Sequence, residues 1–286
     1  MNNIIEVTGL NKRYKKFSLE NVSFSVPEGS IAGFIGINGA GKTTTIKTLL
    51  GLAEKASGSI RLFGMDMERN EKEIKERIGV VLDEGVFYDE LTLNEMKSII
   101  APAYKQWCEA DFKAYLEKFS LDPKQTIKTL SKGMKVKFAL ALALSHKAEL
   151  LIMDEPTSGL DPLIRSQFLT VMSEYMEKEG KGVLFSTHIT SDLDKIADML
   201  IMIDKGRIIL QEDRDILLDE YRLVKGNPRA LNGETRKLFL NITETAFVFT
   251  GITKKLDEVR RFIPDIIVER ASIEDIMLGN IEGGKK

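Results

Sequence analysis

A single cysteine, Cys108, occurs in this 286-residue chain, so no internal disulfide can form. It stands beside Trp107 in a segment read as an amphipathic helix, with no base to be placed near it, and reads as an inert thiol rather than a nucleophile. Long apolar runs are missing too: nothing approaches the roughly 18 uninterrupted apolar residues of a spanning helix, and contact with a membrane is expected only through a partner. Neither sign of charge dominates. The formal net charge of −2 argues against a protein that coats a nucleic-acid backbone, although it leaves room for a local basic patch. The opening "MNNIIEVTGLNKRY" lacks the layout of a signal peptide, which together with the scarcity of cysteine gives a cytoplasmic expectation. Repeats are absent, as are low-complexity segments beyond the charged "EGGKK" end. What is present is an ordinary globular composition, 43% hydrophobic and 29% charged, with enough apolar mass for one large domain or two smaller ones.

The most informative stretch is "GFIGINGAGKTTTIKTLLG", Gly33 to Gly51. Ile31 to Ile35 reads as a short buried strand, and Thr43 to Leu50 as a helix with Ile46, Leu49 and Leu50 on one face. Between them Gly36, Gly39, Gly41, Lys42 and Thr43 fit G-x-x-x-x-G-K-[ST]. In that pattern bare backbone N–H groups, here those of Asn38, Gly39, Ala40, Gly41 and Thr44 with their neighbours, wrap phosphate oxygens while the helix N-terminus adds positive potential. Lys42 is expected to reach the β- and γ-phosphates, and the Thr43 hydroxyl to take a coordination place on Mg²⁺. The loop thus holds a nucleoside triphosphate, without saying why.

Upstream, "IIEVTGL" and "LENVSFSVPEG" are strand-like, and Tyr14 on their connection is either edge packing or an aromatic face for a base. Downstream, "SGSIRLFGMDM" reads as a turn and strand, Glu71 to Arg77 as a charged helix and Ile78 to Leu82 as a short apolar strand. From Leu91 to Ser145 the pattern is helical, broken at Leu121-Asp122-Pro123; "KFALALALS" is expected to be a buried helix, because its alanines favour helix and it is apolar all round. "ELLIMDEPTSGLDP" restores an α/β alternation. Leu150 to Met153 is a strand with Asp154 and Glu155 at its carboxyl end, where parallel sheets bind ligands, followed by a helix over Leu163 to Glu179, the strand "GVLFS" and the pair Thr187-His188. Asp154 is expected to hold Mg²⁺ directly or through water, and Glu155 to accept the proton of an attacking water. The tail, residues 215–286, has strand-like "KLFLNI" and "AFVFTGI", helix-like "KKLDEVRRFI", a second helix near Ser272 to Leu278, and no chemical motif.

The segment "TLSKGMKVKFALALALSHKAELLIMDEPTSGLD" narrows the field: Ser131 and Gly133 open a helix just ahead of the acidic strand, and the chain here resembles the nucleotide-binding subunits of ABC transporters over residues 4–215. The resemblance implies an α/β P-loop NTPase core over residues 1–214 with a helical insertion at about 84–148, and a small C-terminal α/β accessory subdomain over 215–286. It makes Tyr14 the adenine-stacking aromatic, Glu155 the catalytic carboxylate and His188 the switch histidine that senses the γ-phosphate. Ser158 to Asp161 match the loop that communicates between two sites, and Ser131 and Gly133 the signature that binds the γ-phosphate of the opposite subunit; capping of its own helix by Ser131 is compatible with that role. It further implies two copies closing head to tail over two MgATP, a separately encoded transmembrane permease as partner, no nucleic acid, and a place on the cytoplasmic face of the membrane. "EGVFYDEL", Glu84 to Leu91, aligns with the surface where the permease docks, with Val86, Phe87 and Tyr88 as candidates.

The chain departs from the usual pattern at Lys132 and Met134 in the signature, at Ile37 in the phosphate loop, and at Asp83, where a glutamine usually joins metal, water and partner. Asp83 is therefore a candidate Mg²⁺ ligand. This combination, with the ending "ASIEDIML", looks like two-component bacterial exporters of antimicrobial peptides or phenol-soluble modulins. A non-transport ABC ATPase acting on ribosome or nucleic acid is the alternative, but such proteins usually carry two ATPase halves or a long coiled coil. A GTPase-type switch lacks its guanine-reading Asn-Lys-x-Asp: "NKRY" at Asn11 ends in tyrosine and precedes the phosphate loop.

Overall fold

In the computed structural model, residues 2–82 and 87–283 are described. The hairpin of β1 (Asn3–Arg13) and β2 (Ser18–Pro27) turns at Tyr14, whose N–H donates to Phe17 O at 2.8 Å. Then β3 (Ile31–Ile35), buried throughout, passes through the glycine loop into α1 (Lys42–Leu49). β4 (Ser57–Leu62) and the short β5 (Met65–Asp66) return beside β1, and α2 (Glu71–Arg77) leads into β6 (Ile78–Val81). The insertion consists of α3 (Leu93–Ile100), started by a capping box between Thr92 and Glu95, then α4 (Glu109–Lys118) and the buried α5 (Lys132–Ser145). α/β alternation resumes with β7 (Leu150–Asp154), α6 (Pro162–Met176), β8 (Gly182–Thr187) and α7 (Thr190–Ile196). The hairpin of β9 (Met199–Asp204) and β10 (Arg207–Asp213) closes this part, and α8 (Arg214–Glu220) leads into the C-terminal extension. There β11 (Arg222–Gly226), β12 (Asn241–Glu244), β13 (Phe249–Thr253), α9 (Leu256–Phe262), β14 (Ile266–Arg270) and α10 (Ile273–Gly283) follow in turn.

Among the described residues the strands form three sheets. The central one, ordered β10-β9-β3-β8-β7-β6, is parallel except for β10; its parallel strands are buried on both faces, which is why they read as apolar runs, whereas β10 at the edge alternates between exposed and half-buried residues. Successive residues still face opposite layers. Val183 and Phe185 pack toward the helical insertion, while Leu184 joins Ile5, Phe24 and Phe34 under the antiparallel sheet β2-β1-β4-β5. Because β3, β8 and β7 are neighbours in one direction, the phosphate loop, Thr187-His188 and Asp154-Glu155 all emerge at the same carboxyl edge; Ile35 pairs with Thr187 and Asp154 with Ser186.

The third sheet, β12-β13-β11-β14, has its own core of Val224, Phe239, Phe249, Val259 and Ile263. The opposite face docks on the body: Leu217, Tyr221, Ile252, Ile273 and Ile276 belong to the same apolar cluster as Leu193 of α7, and α10 packs on α7. Here the expected boundaries shift. "KLFLNI" is not one strand: Thr235–Leu238 is a 3-10 turn and only the residues from Asn241 onward pair. "AFVFTGI" starts its strand at Phe249, because the Thr245 hydroxyl accepts the N–H groups of Phe247 and Val248 and makes them a turn. β11 and β14, absent from the sequence reading, are short and half-exposed. Cys108 is not within a helix but at the N-cap of α4, half-buried, its N–H donating to Ser145 O.

Candidate active site

Two glycines fix the path of the phosphate loop for different reasons. At Gly36 a Cβ would run into the carbonyl oxygen of Ile203, so the backbone of β3 can lie against β9 only without a side chain. Gly41 has φ 120° and a Cβ there would meet Leu19 and Phe17 at 2.9 Å. Gly41 is also the N-cap of α1 and offers no side-chain acceptor, leaving the first-turn N–H groups for an anion. Ile37, Asn38 and Gly39 are exposed, Ala40 is buried beneath them, and Thr43 and Thr44 open the helix with Thr43 exposed. The hydroxyls of Thr45 and Thr48 bond back to the carbonyls of Gly41 and Thr44, so they stiffen the helix rather than serve the site.

Lys42 folds back under the loop and is only 6% exposed. A buried ammonium is tolerated only when paired, and its Nζ donates to Gly36 O at 2.7 Å and lies 3.2 Å from Glu155 Oε1. Glu155 follows β7 with φ 50°, an uncommon left-handed conformation for glutamate, which turns its side chain back toward the loop. Ser186 on β8 holds that bend: its carbonyl accepts the Glu155 N–H at 3.0 Å, and its hydroxyl donates to Asp154 Oδ1 at 2.6 Å. The other Glu155 oxygen, Oε2, is 2.6 Å from His188 Nδ1 and accepts the His188 N–H at 3.3 Å. Lys42, Glu155 and His188 thus form a chain across the carboxyl edge.

A groove of about 730 Å³ runs along this chain. Tyr14, Lys16 and Phe17 form one wall, Ile37, Asn38, Gly39, Gly41, Lys42, Thr43 and Thr44 the floor, and Glu155, Ser158 and His188 the far wall. Tyr14 is half-exposed there with Lys12 Nζ 5.0 Å from its ring centroid. A planar base, a phosphate chain and an attacking water match these surfaces in that order. The donor set also suits Mg²⁺, since the Thr43 hydroxyl and Asp154 carboxylate are hard oxygens. Among the described residues no group of three or more His, Cys, Asp or Glu side chains is placed to hold a metal by itself.

Of the expected site residues, Gly36, Ala40 and Asp154 are buried and do not line this groove, and neither do Ser131, Gly133 and Asp161. Ser131 caps α5, accepting the Met134 N–H at 3.3 Å, and Asp161 caps α6, accepting from Leu163 and Ile164 at 3.0 Å each. Gly133 lies where a Cβ would meet Ile164 at 2.8 Å, so the two capped helix starts sit side by side at the surface. Asp83 and Val86 lie outside the described residues. Phe87 packs on Phe138 with ring centroids 5.0 Å apart, whereas Tyr88 is 67% exposed. Sequence reasoning overlooked Ser186, Lys16 and Phe17; the pairing of Ser186 with Asp154 in adjacent parallel strands is what exposes the first.

The chain matches the family described as ABC transporter over residues 19–158. It is 36% identical to the bacitracin transport ATP-binding protein BcrA of Bacillus licheniformis over 212 residues, 73% of this chain and 69% of that protein. The Enterococcus faecalis protein of the same name is 32% identical over 263 residues, 91% of this chain and 84% of the relative. The lantibiotic transport ATP-binding protein SrtF of Streptococcus pyogenes is 34% identical, covering 74% of this chain and 92% of that one. A solved ATP binding subunit of an ABC transporter superposes with a TM-score of 0.69 at 32% identity, over 76% of this chain and 92% of its own. The chain belongs to the ABC transporter family, as an ATP-binding, ATP-hydrolysing subunit.

Proposed function

We propose that this protein powers a separately encoded membrane permease that exports a peptide or amphipathic compound, and that it works as a pair of identical copies at the cytoplasmic face. The observation that carries the hydrolytic part is the placement of the Glu155 carboxylate between Lys42 and His188 at the mouth of the nucleotide groove. On this reading Tyr14 stacks on the base, Lys42 leaves Glu155 for the β- and γ-phosphates, and the freed Glu155 takes a proton from the attacking water. His188 stays on Glu155 and faces the γ-phosphate. Thr43 and Asp154 would hold Mg²⁺, which would supply charge neutralisation to the phosphates; Asp83 is proposed as a further oxygen ligand. The export of a peptide is suggested by the bacitracin and lantibiotic transport named for the relatives.

The paired state is supported by what the groove leaves out. Ser131 and Lys132 at the start of α5 are exposed and lie away from their own groove, so a capped helix N-terminus suited to an anion has no phosphate within its own chain. A second copy approaching head to tail gives it one. No described helix is long and apolar enough to cross a membrane, which leaves the crossing to the permease. Purification of the tagged protein from its native membranes is the test. Recovery of a polytopic membrane protein in stoichiometric amount supports the reading, and recovery with ribosomes in its place overturns it.

A further inference from the structure

Two residues beyond Glu155 in the chain, and four beyond His188, a second connection joins the catalytic loops. Asp192 in α7 is 1% exposed, and so is Thr157 in the loop that follows Glu155. The Thr157 hydroxyl donates to Asp192 Oδ2 at 2.7 Å, and the Arg165 guanidinium of α6 donates to Asp192 Oδ1 and, at 3.2 Å, to the Ser191 hydroxyl. An acidic side chain this deeply buried is tolerated only when its oxygens are occupied, so the three groups hold a single arrangement and resist sliding past one another. α7 is pinned elsewhere as well: a Cβ on Gly33 of β3 would meet Leu193 at 2.8 Å, and α10 of the extension packs on its outer side.

We infer that Asp192 is a positioning residue for hydrolysis, acting through Thr157 on the Glu155 loop and through α7 on His188, so that the carboxylate and imidazole meet at 2.6 Å. Neither Asp192 nor Thr157 lines the nucleotide groove, and their effect falls on geometry rather than on binding. The inference rests on Glu155 and His188 as the hydrolytic pair. A base misplaced by a fraction of an ångström loses rate steeply while substrate affinity, set by the loop and Tyr14, is untouched.

The test compares Thr157→Val, which keeps the shape and removes the hydroxyl, with Thr157→Ser, which keeps the hydroxyl, and adds Asp192→Asn. ATPase kinetics are measured beside the affinity for a non-hydrolysable ATP analogue and the melting temperature. Thr157→Val and Asp192→Asn are expected to lower kcat about tenfold with analogue affinity within about twofold, and Thr157→Ser to retain about half the parent rate or more. In a His188→Ala background, the loss from Thr157→Val should shrink to less than about twofold, since the positioned partner is gone. Equal losses in the Ser and Val variants, or a lower melting temperature at unchanged kcat, overturn the positioning role. If Glu155→Gln were to retain full turnover, the hydrolytic assignment would fail instead, and the two failures are told apart by that variant.

Discussion

The Lys42 ammonium, buried beneath its loop, lies 3.2 Å from the Glu155 carboxylate, so the residue expected to bind phosphate and the residue expected to activate water form one ion pair. On the proposed function, ATP draws Lys42 toward phosphate and hydrolysis uses the Glu155 carboxylate. Glu155→Gln should therefore keep nucleotide affinity at or above the parent level, because Lys42 no longer parts from a charge, while turnover falls about 10²–10⁴-fold because an amide cannot accept the proton. With MgATP, this variant should also elute as a dimer in size exclusion. A monomer under those conditions would count against the paired state.

Lys42→Ala acts one step earlier. It removes the charge that meets the phosphates and leaves Gly36 O without its donor, so affinity for ATP should drop at least about tenfold. Equilibrium binding of a fluorescent ATP analogue reads this directly, and parent-like affinity would mean that the glycine loop holds something else.

The second histidine gives the fold an acid-sensitive point away from the site. His146 is 3% exposed, stacks on Tyr104 with ring centroids 3.8 Å apart, and has no hydrogen-bond partner for Nδ1 among the described residues. Burial disfavours its charged form and brings its pKa down from 6.5 to about 4. Between those values the unfolded chain binds a proton that the folded chain refuses, so stability is lost as pH falls from about 6.5 toward 4, by up to about 3 kcal/mol. Urea unfolding of His146→Phe, which keeps the stack, should show a flatter decline over that interval. An unchanged slope would place the acid sensitivity elsewhere.

How legible this was in the sequence depended on whether a residue's role is local. The phosphate loop could be read because its glycines, lysine and helix start are consecutive, and Glu155 because it ends an apolar strand. Ser186, Thr157 and Asp192 could not, since each acquires its role from a residue 27 to 35 positions away across neighbouring strands or helices. In the extension, β14 carries Ile267 and Glu269 outward, so the alternation that marks a one-sided strand is blurred, while Thr245 ends an apolar run that composition alone would extend. Tyr14 admits two readings in the sequence, and the β1–β2 turn sets its ring beside the groove, which supports the base-facing one.

Val86, Phe87 and Tyr88 are the sequence's candidates for a permease contact, and the environments of the two that are described differ. Phe87 is half-buried on Phe138 and Tyr88 is 67% exposed. Phe87→Ala should destabilise the isolated subunit by about 1–3 kcal/mol, whereas Tyr88→Ala should leave its melting temperature unchanged and still weaken co-purification with the permease. Full assembly by Tyr88→Ala would remove that residue from the interface.

Ser186 offers a way to separate the metal ligand from the base. Its hydroxyl, fully buried, donates to Asp154 Oδ1 at 2.6 Å, and its Oγ accepts the Glu155 N–H at 3.2 Å, a longer contact than the 3.0 Å bond from that N–H to the Ser186 carbonyl. Ser186→Ala therefore deletes the Asp154 contact and keeps the backbone bond that bends Glu155. A buried carboxylate oxygen left without its donor costs about 1–3 kcal/mol, and the Asp154 side chain gains freedom to turn from the orientation in which it would meet Mg²⁺. The expected signature is a several-fold rise in the Mg²⁺ concentration that half-saturates both ATPase activity and Mg²⁺-dependent binding of the ATP analogue, with kcat at saturating Mg²⁺ close to the parent. Should kcat collapse at every Mg²⁺ concentration with no displacement of the titration, Ser186 would instead be holding Glu155, and the bend at φ 50° would depend on the hydroxyl rather than on the sheet.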